Sequence, residues 1–248
     1  MKIPQRLKQF RHALRTPTYV LREFVHRLPD PRFNWHSTTV TEHERAVEHI
    51  ETLRREGIVL LPGYVGGELV QRLHDAFETV LGDVADDQSN PDAFVNTRFV
   101  QADPIFMQPA LDDLLLEIIA GYYRKPFTIG RASALRLLPT PSQRYGSFQW
   151  HHDTRGRQVH LMVLLTAVSA NGQRMRYLRR SHRHYYGHYR GNTGLGSRFE
   201  ADMVARRIAP ELISEVVGPR GTVAIFDSNG LHSGTRNETE PRDALIYC

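Results

Sequence analysis

From about Phe127 onward the chain is written in short β-rich runs: Phe127–Ile129, Ser133–Leu138, Gly146–His151, Gln158–Thr166, Thr222–Phe226 and Ala244–Tyr247. Clusters of Pro, Gly, Asn and Ser separate them. Runs this short, punctuated by turn residues, let the chain reverse again and again, so the back half is expected to form an antiparallel sheet, sandwich or barrel. The front half follows helical grammar. Thr41 to Glu56 sets Ala46, His49, Ile50 and Leu53 on one face, with Thr39 or Thr41 as cap and Gly57 as stop. Ile58-Val-Leu-Leu61 then reads as a short strand closed by Pro62-Gly63, and Leu69 to Leu81 as another amphipathic helix. Asp83 to Asn96 is polar and reads as a loop, and Ala110 to Tyr123 as a helix with a nearly continuous apolar run. The expected class is α+β, with the helices packed on the sheet and no internal repeat.

Composition narrows the function classes. A chain of 248 residues with 40% hydrophobic side chains is globular in character. No run approaches the roughly 18 apolar residues of a membrane span. The first residues lack the apolar core of a secretory signal, and the single cysteine, Cys248, suits a reducing compartment. A cytoplasmic location is the expectation. The net charge of +5 is unevenly placed: residues 1–28 carry seven Lys or Arg against Glu23 alone, a net of +6. The rest of the chain is therefore close to neutral, which argues against nucleic acid as a partner. In MKIPQRLKQFRHALR, Ile3, Leu7, Phe10 and Leu14 fall at helical spacing among basic residues. Residues 1–40 read as a basic amphipathic extension and linker, able to lie on an anionic membrane surface or against a partner. Residues 41–248 read as one domain.

The chemistry concentrates in FQWHHDTRG, Phe148 to Gly156. Side chains two apart in an extended strand share a face, so His151 and Asp153 form a two-point clamp for a divalent metal while His152 points away. Two neighbours bind weakly, so a third ligand is required. The best is His232, which follows the strand-like run and loosened turn of GTVAIFDSNGLH; two histidines and one carboxylate are the set used by non-haem Fe(II) oxygenases. Arg242, opening the last β-rich run, offers a guanidinium that can pair bidentately with a carboxylate brought in by a cosubstrate. A structural hydrogen-bonded pair, His151 with Asp153, is the competing reading of the same residues.

WHHD, ANG at Ala170–Gly172, RSH at Arg180–His182, GTVAIFDSNGLH, Asn237 and Arg242 together resemble the phytanoyl-CoA dioxygenase family of Fe(II)- and 2-oxoglutarate-dependent oxygenases. The likeness runs from about Glu42 to Tyr247. It implies a double-stranded β-helix, a cupin-like jelly-roll barrel, with flanking N-terminal helices. It implies His151, Asp153 and His232 as iron ligands and catalytic residues, and Arg242 as the holder of 2-oxoglutarate. Fe(II), 2-oxoglutarate and dioxygen would be required, with ascorbate as a supporting reductant. The chain departs from the family pattern in three places: His152 stands where Gln is frequent, Arg180 replaces Gly, and Gly234 replaces a small hydroxyl residue.

The implied reaction is hydroxylation of an unactivated C–H bond of a small-molecule or carrier- or lipid-linked metabolite, releasing succinate and carbon dioxide. Related halogenases lack the carboxylate ligand, so Asp153 favours oxygenation. Desaturation, cyclisation or epimerisation at the same site is the enzymatic alternative, and a metal-free binding or scaffold protein is the alternative of another class. His152, Arg155 and Arg157 are candidate substrate contacts, the two arginines pointing to an anionic or hydroxylated substrate; Asn96, Thr97 and Arg98 are weaker ones. A monomer or homodimer is expected. The run SHRHYYGHYRG, Ser181 to Gly191, lacks the cysteine or carboxylate that would complete a zinc set and reads as a loop over the barrel mouth.

Overall fold

The computed structural model describes residues 40–82, 93–96, 99–139, 146–153, 158–183, 197–199, 209–236 and 240–248. The basic extension before residue 40, Thr97, Arg98, Arg155, Arg157, Asn237 and most of the Ser181–Gly191 run lie outside them. The helices are α1 (Val40–Glu56), α2 (Gly67–Gly82), the short α3 (Phe99–Ala102) and α4 (Asp113–Tyr123). The strands are β1 (Ile58–Leu61), β2 (Ala93–Asn96), β3 (Ala132–Leu137), β4 (Trp150–His152), β5 (Val159–Leu164) and β6 (Met175–Leu178). They continue with β7 (Ser197–Phe199), β8 (Ile213–Val216), β9 (Val223–Asp227), β10 (His232–Gly234) and β11 (Arg242–Tyr247).

All strand pairings among the described residues are antiparallel. A six-stranded sheet runs β1-β9-β5-β11-β3-β2 and a five-stranded sheet runs β7-β4-β10-β6-β8. The alternation of side chains along each strand then explains the two cores. Val59, Leu61, Leu161, Val163, Val223, Ile225, Leu245 and Tyr247 point to one face of the larger sheet and join Leu53, Leu73, Phe77, Leu115 and Ile118 of the helices. Met162, Leu164, Ala224, Phe226 and Ala244, each one residue out of phase, face the smaller sheet and meet Met175, Tyr177 and Val216. The central strands are buried on both faces, which is why β5 and β9 read as unbroken apolar runs.

Most expected elements form with ends displaced by a few residues, and three differ in kind. Phe127–Ile129 forms no strand: Arg124 closes α4 in the left-handed region (φ 52°), and Phe127 then folds back with its ring 5.7 Å from that of Tyr123. The expected strand from Gly146 begins as a single turn, Gly146–Phe148, and extends only from Trp150. The expected polar loop ends in β2, which pairs with β3 from Ala93 opposite Leu137 to Asn96 opposite Ala134, because the edge of the large sheet offers backbone partners that four residues can take. No described helix is long and apolar enough to cross a membrane.

Candidate metal centre

His151 and His232 are 81 positions apart in the chain but directly opposite in the β4–β10 ladder, with ring centroids 4.3 Å apart. The turn Asp227-Ser-Asn-Gly230 between β9 and β10 sets that register. Asp227 is buried and accepts hydrogen bonds at its carboxylate from the Tyr122 hydroxyl (2.5 Å) and from the Asn229 amide (2.9 Å). The Tyr177 hydroxyl donates to the Asp227 carbonyl at 2.9 Å. A Cβ on Gly230 would overlap that Tyr177 ring, so the turn passes where only glycine fits. Asp153 is tied to the same turn, its amide donating to the Ser228 carbonyl at 3.0 Å.

The RSH stretch braces this turn from outside. The Asn229 side chain donates to the His182 carbonyl (2.8 Å), and the Leu231 amide donates to the Ser181 hydroxyl (2.8 Å). Arg180, the residue standing in place of glycine, adopts φ 68°, a left-handed conformation that glycine takes without cost. Its guanidinium is held by a two-point ion pair to the buried Glu56, at 3.0 and 3.1 Å.

The three ligand candidates converge. His151 Nε2 lies 3.4 Å from Asp153 Oδ1 and His232 Nε2 lies 3.5 Å from Asp153 Oδ2. Cis ligands in an octahedral site with bonds near 2.1 Å stand about 3 Å apart, so these atoms need little adjustment to share one ion. The tautomers also fit. His151 Nδ1 donates to the Gln149 carbonyl at 2.7 Å and His232 Nδ1 to the Gly230 carbonyl at 2.9 Å, leaving each Nε2 directed at the carboxylate and able to ligate an ion once its proton is lost. Burial lowers the basicity of His151, and the neighbouring His232 adds to that. Burial also opposes ionisation of Asp153, but the charge of His232 and hydrogen bonds from His151 and His232 overcome it and hold its carboxyl well below the usual carboxylate range. Burial opposes the His232 cation, while Asp153 outweighs burial and raises the imidazole above its ordinary value.

These groups open onto a cavity of about 130 Å³, well above the roughly 10–15 Å³ that one water needs. Leu135, Leu137, Met162, Phe226 and Ile246 form apolar wall, and Arg242, 5% exposed, lines the cavity. Arg242 Nη1 donates to the Gln173 carbonyl at 3.1 Å. The Gln173 amide in turn donates to the carbonyls of Leu137 (3.3 Å), Leu138 (3.0 Å) and Glu240 (2.8 Å), locking this end of β11 to β3. His152 is buried but, as alternation requires, it is not among the cavity-lining residues. Asn96 ends β2, an edge strand of the large sheet.

Three contributors escape a reading of the sequence alone. His160 lies on β5 with Nδ1 3.7 Å from Asp153 Oδ2, and burial chiefly pushes its imidazole down to about 4. A polar residue inside Val159-His-Leu-Met-Val-Leu164 was the available signal. Gln173 follows ANG directly, while Arg131, at the other end of the cavity, carries no local mark.

Fold and site together define a double-stranded β-helix protein with a His-Asp-His set able to hold a divalent metal. No family model matches the chain, and no curated protein matches it in sequence. Solved structures do share its fold. HygX from Streptomyces hygroscopicus, with nickel, 2-oxoglutarate and hygromycin B bound, is 18% identical with a TM-score of 0.59, over 81% of this chain and 85% of HygX. The epimerase SnoN, in complex with Fe3+, alpha ketoglutarate and nogalamycin RO, is 17% identical with a TM-score of 0.61, over 82% of each chain. EctD from S. alaskensis with bound Fe is 19% identical with a TM-score of 0.60, over 88% of this chain and 80% of EctD.

Proposed function

We propose that the chain is an Fe(II)- and 2-oxoglutarate-dependent oxygenase of the phytanoyl-CoA dioxygenase type. It hydroxylates an unactivated C–H bond of a small-molecule or carrier- or lipid-linked metabolite. His151 and His232 hold the iron through Nε2, and Asp153 through its carboxylate. Arg242 receives the distal carboxylate of 2-oxoglutarate, a two-point contact that a planar guanidinium offers and an ammonium does not. When bound, iron with 2-oxoglutarate and dioxygen supplies the oxidising power, and succinate and carbon dioxide leave as co-products. The chain's own share is placement and exclusion. The Nδ1-to-carbonyl bonds fix both imidazoles, the Ser228 carbonyl fixes Asp153, and the apolar wall keeps water from the reacting C–H bond.

The observation that carries this reading is the convergence of His151, Asp153 and His232 on one point, with Arg242 on the wall of the same cavity. The presence of iron or nickel and 2-oxoglutarate in neighbours of this fold supports it. The direct test is succinate release from 2-oxoglutarate on adding Fe(II) and air, in wild type and His232→Ala. Release confined to the wild type supports the proposal, and a wild type neither stabilised by Fe(II) nor able to release succinate is the metal-free binding protein instead. Because the neighbour SnoN is an epimerase, the reaction type is tested separately with labelled dioxygen. Label in the product means hydroxylation, and an unlabelled product means epimerisation, desaturation or ring closure.

A further inference from the structure

The cavity has a second guanidinium, and its place relative to the first is unusual for a single small cosubstrate. Arg131 lines the same cavity as Arg242. In the β3–β11 ladder Arg242 stands opposite Leu137 while Ala132 stands opposite Tyr247, which puts Arg131 beside Cys248 at the other end of the strand pair. The six residue steps from Arg242 to Cys248 separate the two Cα positions by roughly 20 Å, so the two arginines belong to opposite ends of the strand. Backbone bonds fix the Arg131 end: the Gly130 and Arg131 amides donate to the Cys248 carbonyl (2.7 and 3.1 Å), and the Cys248 amide donates to the Arg131 carbonyl (2.8 Å).

The side chain of Arg131 is exposed at the cavity rim, and no carboxylate pairs with it among the described residues. The Cys248 thiol lies near it and, being neutral, does not cancel the charge of the guanidinium. Charge balance points the same way. Asp153 is the sole carboxylate among the described residues lining the cavity. A divalent ion on the triad and two guanidiniums exceed it by three positive charges, and a dianionic cosubstrate at Arg242 cancels two of them. Among the described side chains lining the cavity, Arg131 is then the cation left without a carboxylate counterpart.

We infer that Arg131 is a specificity-determining residue that pairs with an anionic group, carboxylate or phosphate, on the substrate while the target C–H bond lies over the metal. This rests on the oxygenase reading for the position of the metal and of 2-oxoglutarate, and it adds the substrate's chemical class. The pairing is a charge-assisted, two-point contact of the kind that distinguishes an acid from its amide.

The test uses the full chain with three probes: inorganic phosphate, benzoate and its neutral counterpart benzamide. Binding is measured by calorimetry on metal-free protein and on protein loaded with Ni(II) and 2-oxoglutarate. Benzoate or phosphate should bind at least about tenfold tighter than benzamide, and Arg131→Gln should abolish that preference while Arg131→Lys retains part of it. Phosphate favoured over benzoate assigns a phosphorylated substrate, and the reverse assigns a carboxylic acid. Affinity for 2-oxoglutarate should be unchanged in Arg131→Gln. Equal binding of anions by wild type and Arg131→Gln overturns the inference, as does a large loss of 2-oxoglutarate affinity in that variant, which would make Arg131 a cosubstrate residue. Failure of the wild type to bind Ni(II) or 2-oxoglutarate counts against the oxygenase reading alone, because the metal-free arm still reports on Arg131.

Discussion

Among the described residues, two clusters offer a metal ion similar ligand types, and one of them already holds a guanidinium. His151, Asp153 and His232 lie between the two sheets, and His74, Glu78 and Asp243 lie between α2 and the larger sheet. They are separated by the thickness of β11, since Arg242 faces the cavity and Asp243 the helices. In the second cluster His74 Nε2 is 3.4 Å from Glu78 and 3.6 Å from Asp243, distances matching those of the first. A cation is already there. Arg136 places two nitrogens 2.7 Å from the two oxygens of the buried Asp243, reaches Glu78 at 2.5 and 3.3 Å, and stacks 5.5 Å over the Phe77 ring. Ligand identity and spacing therefore do not define a metal centre. The first cluster differs in having convergent ligand atoms with no arginine held among them, beside an open cavity.

The largest effect that sharpens this comparison is expected from Asp153→Ala. Removing a proposed ligand should weaken metal binding by on the order of 100-fold or more and abolish succinate release, since even loss of a supporting contact costs 10–100-fold. Glu78→Gln should leave both unchanged. Equal losses in the two variants, measured by metal titration, would mean that the two clusters do not differ as metal sites.

Next in size is Arg136→Ala. It leaves Asp243 buried without its counter-ion, and stability should fall by about 3 kcal/mol in denaturant unfolding. The variant also turns the second cluster into a test of the principle. With the guanidinium gone, added Zn(II) should restore part of the lost stability through His74, Glu78 and Asp243, and the wild type should show no such response at that site. Absence of any Zn(II) effect in the variant would mean that something besides the resident cation keeps the cluster closed.

The two clusters also differed in how far the sequence announced them. His151 and Asp153 are two apart, and His232 follows a recognisable strand and turn, so local spacing carried the first site. Arg136 and Asp243 meet across 107 positions, and His74 comes from a helix whose pattern shows only its apolar face. Nothing local links them. The same limit hid His160 and Arg131, whose roles depend on which strands become neighbours. Strand interiors such as Ile58–Leu61 were legible because burial on both faces demands unbroken apolar runs. β10 was not, because three residues of His-Ser-Gly carry no β pattern and form a strand only through their ladder partners.

A smaller effect is expected at the turn that carries His232. Gly230→Ala puts a methyl group into the Tyr177 ring, so the turn must shift, at a cost of about 1–3 kcal/mol. Because the Gly230 carbonyl also orients His232, metal affinity should fall with stability. A loss of melting temperature with metal affinity intact would separate the turn's structural role from its orienting one.

The smallest effect distinguishes the exposed arm of the second cluster from its buried one. Hydrogen bonding from Arg136 holds the Glu78 carboxyl below its ordinary value of 4.5, but Glu78 is 48% exposed. Water and salt screen such a pair, so Glu78→Gln should cost no more than about 1 kcal/mol at neutral pH. The sign with pH follows from the depressed value. The ionised form is favoured by folding, so the contribution is complete above the unfolded-state pKa near 4.5 and disappears as pH falls through the lower folded-state value. Wild type and Glu78→Gln should therefore differ in stability at pH 7 and converge in acid, and raising the salt at pH 7 should narrow the gap as well. A gap that persists at low pH would mean that Glu78 acts through packing of its side chain over the sheet and not through its charge.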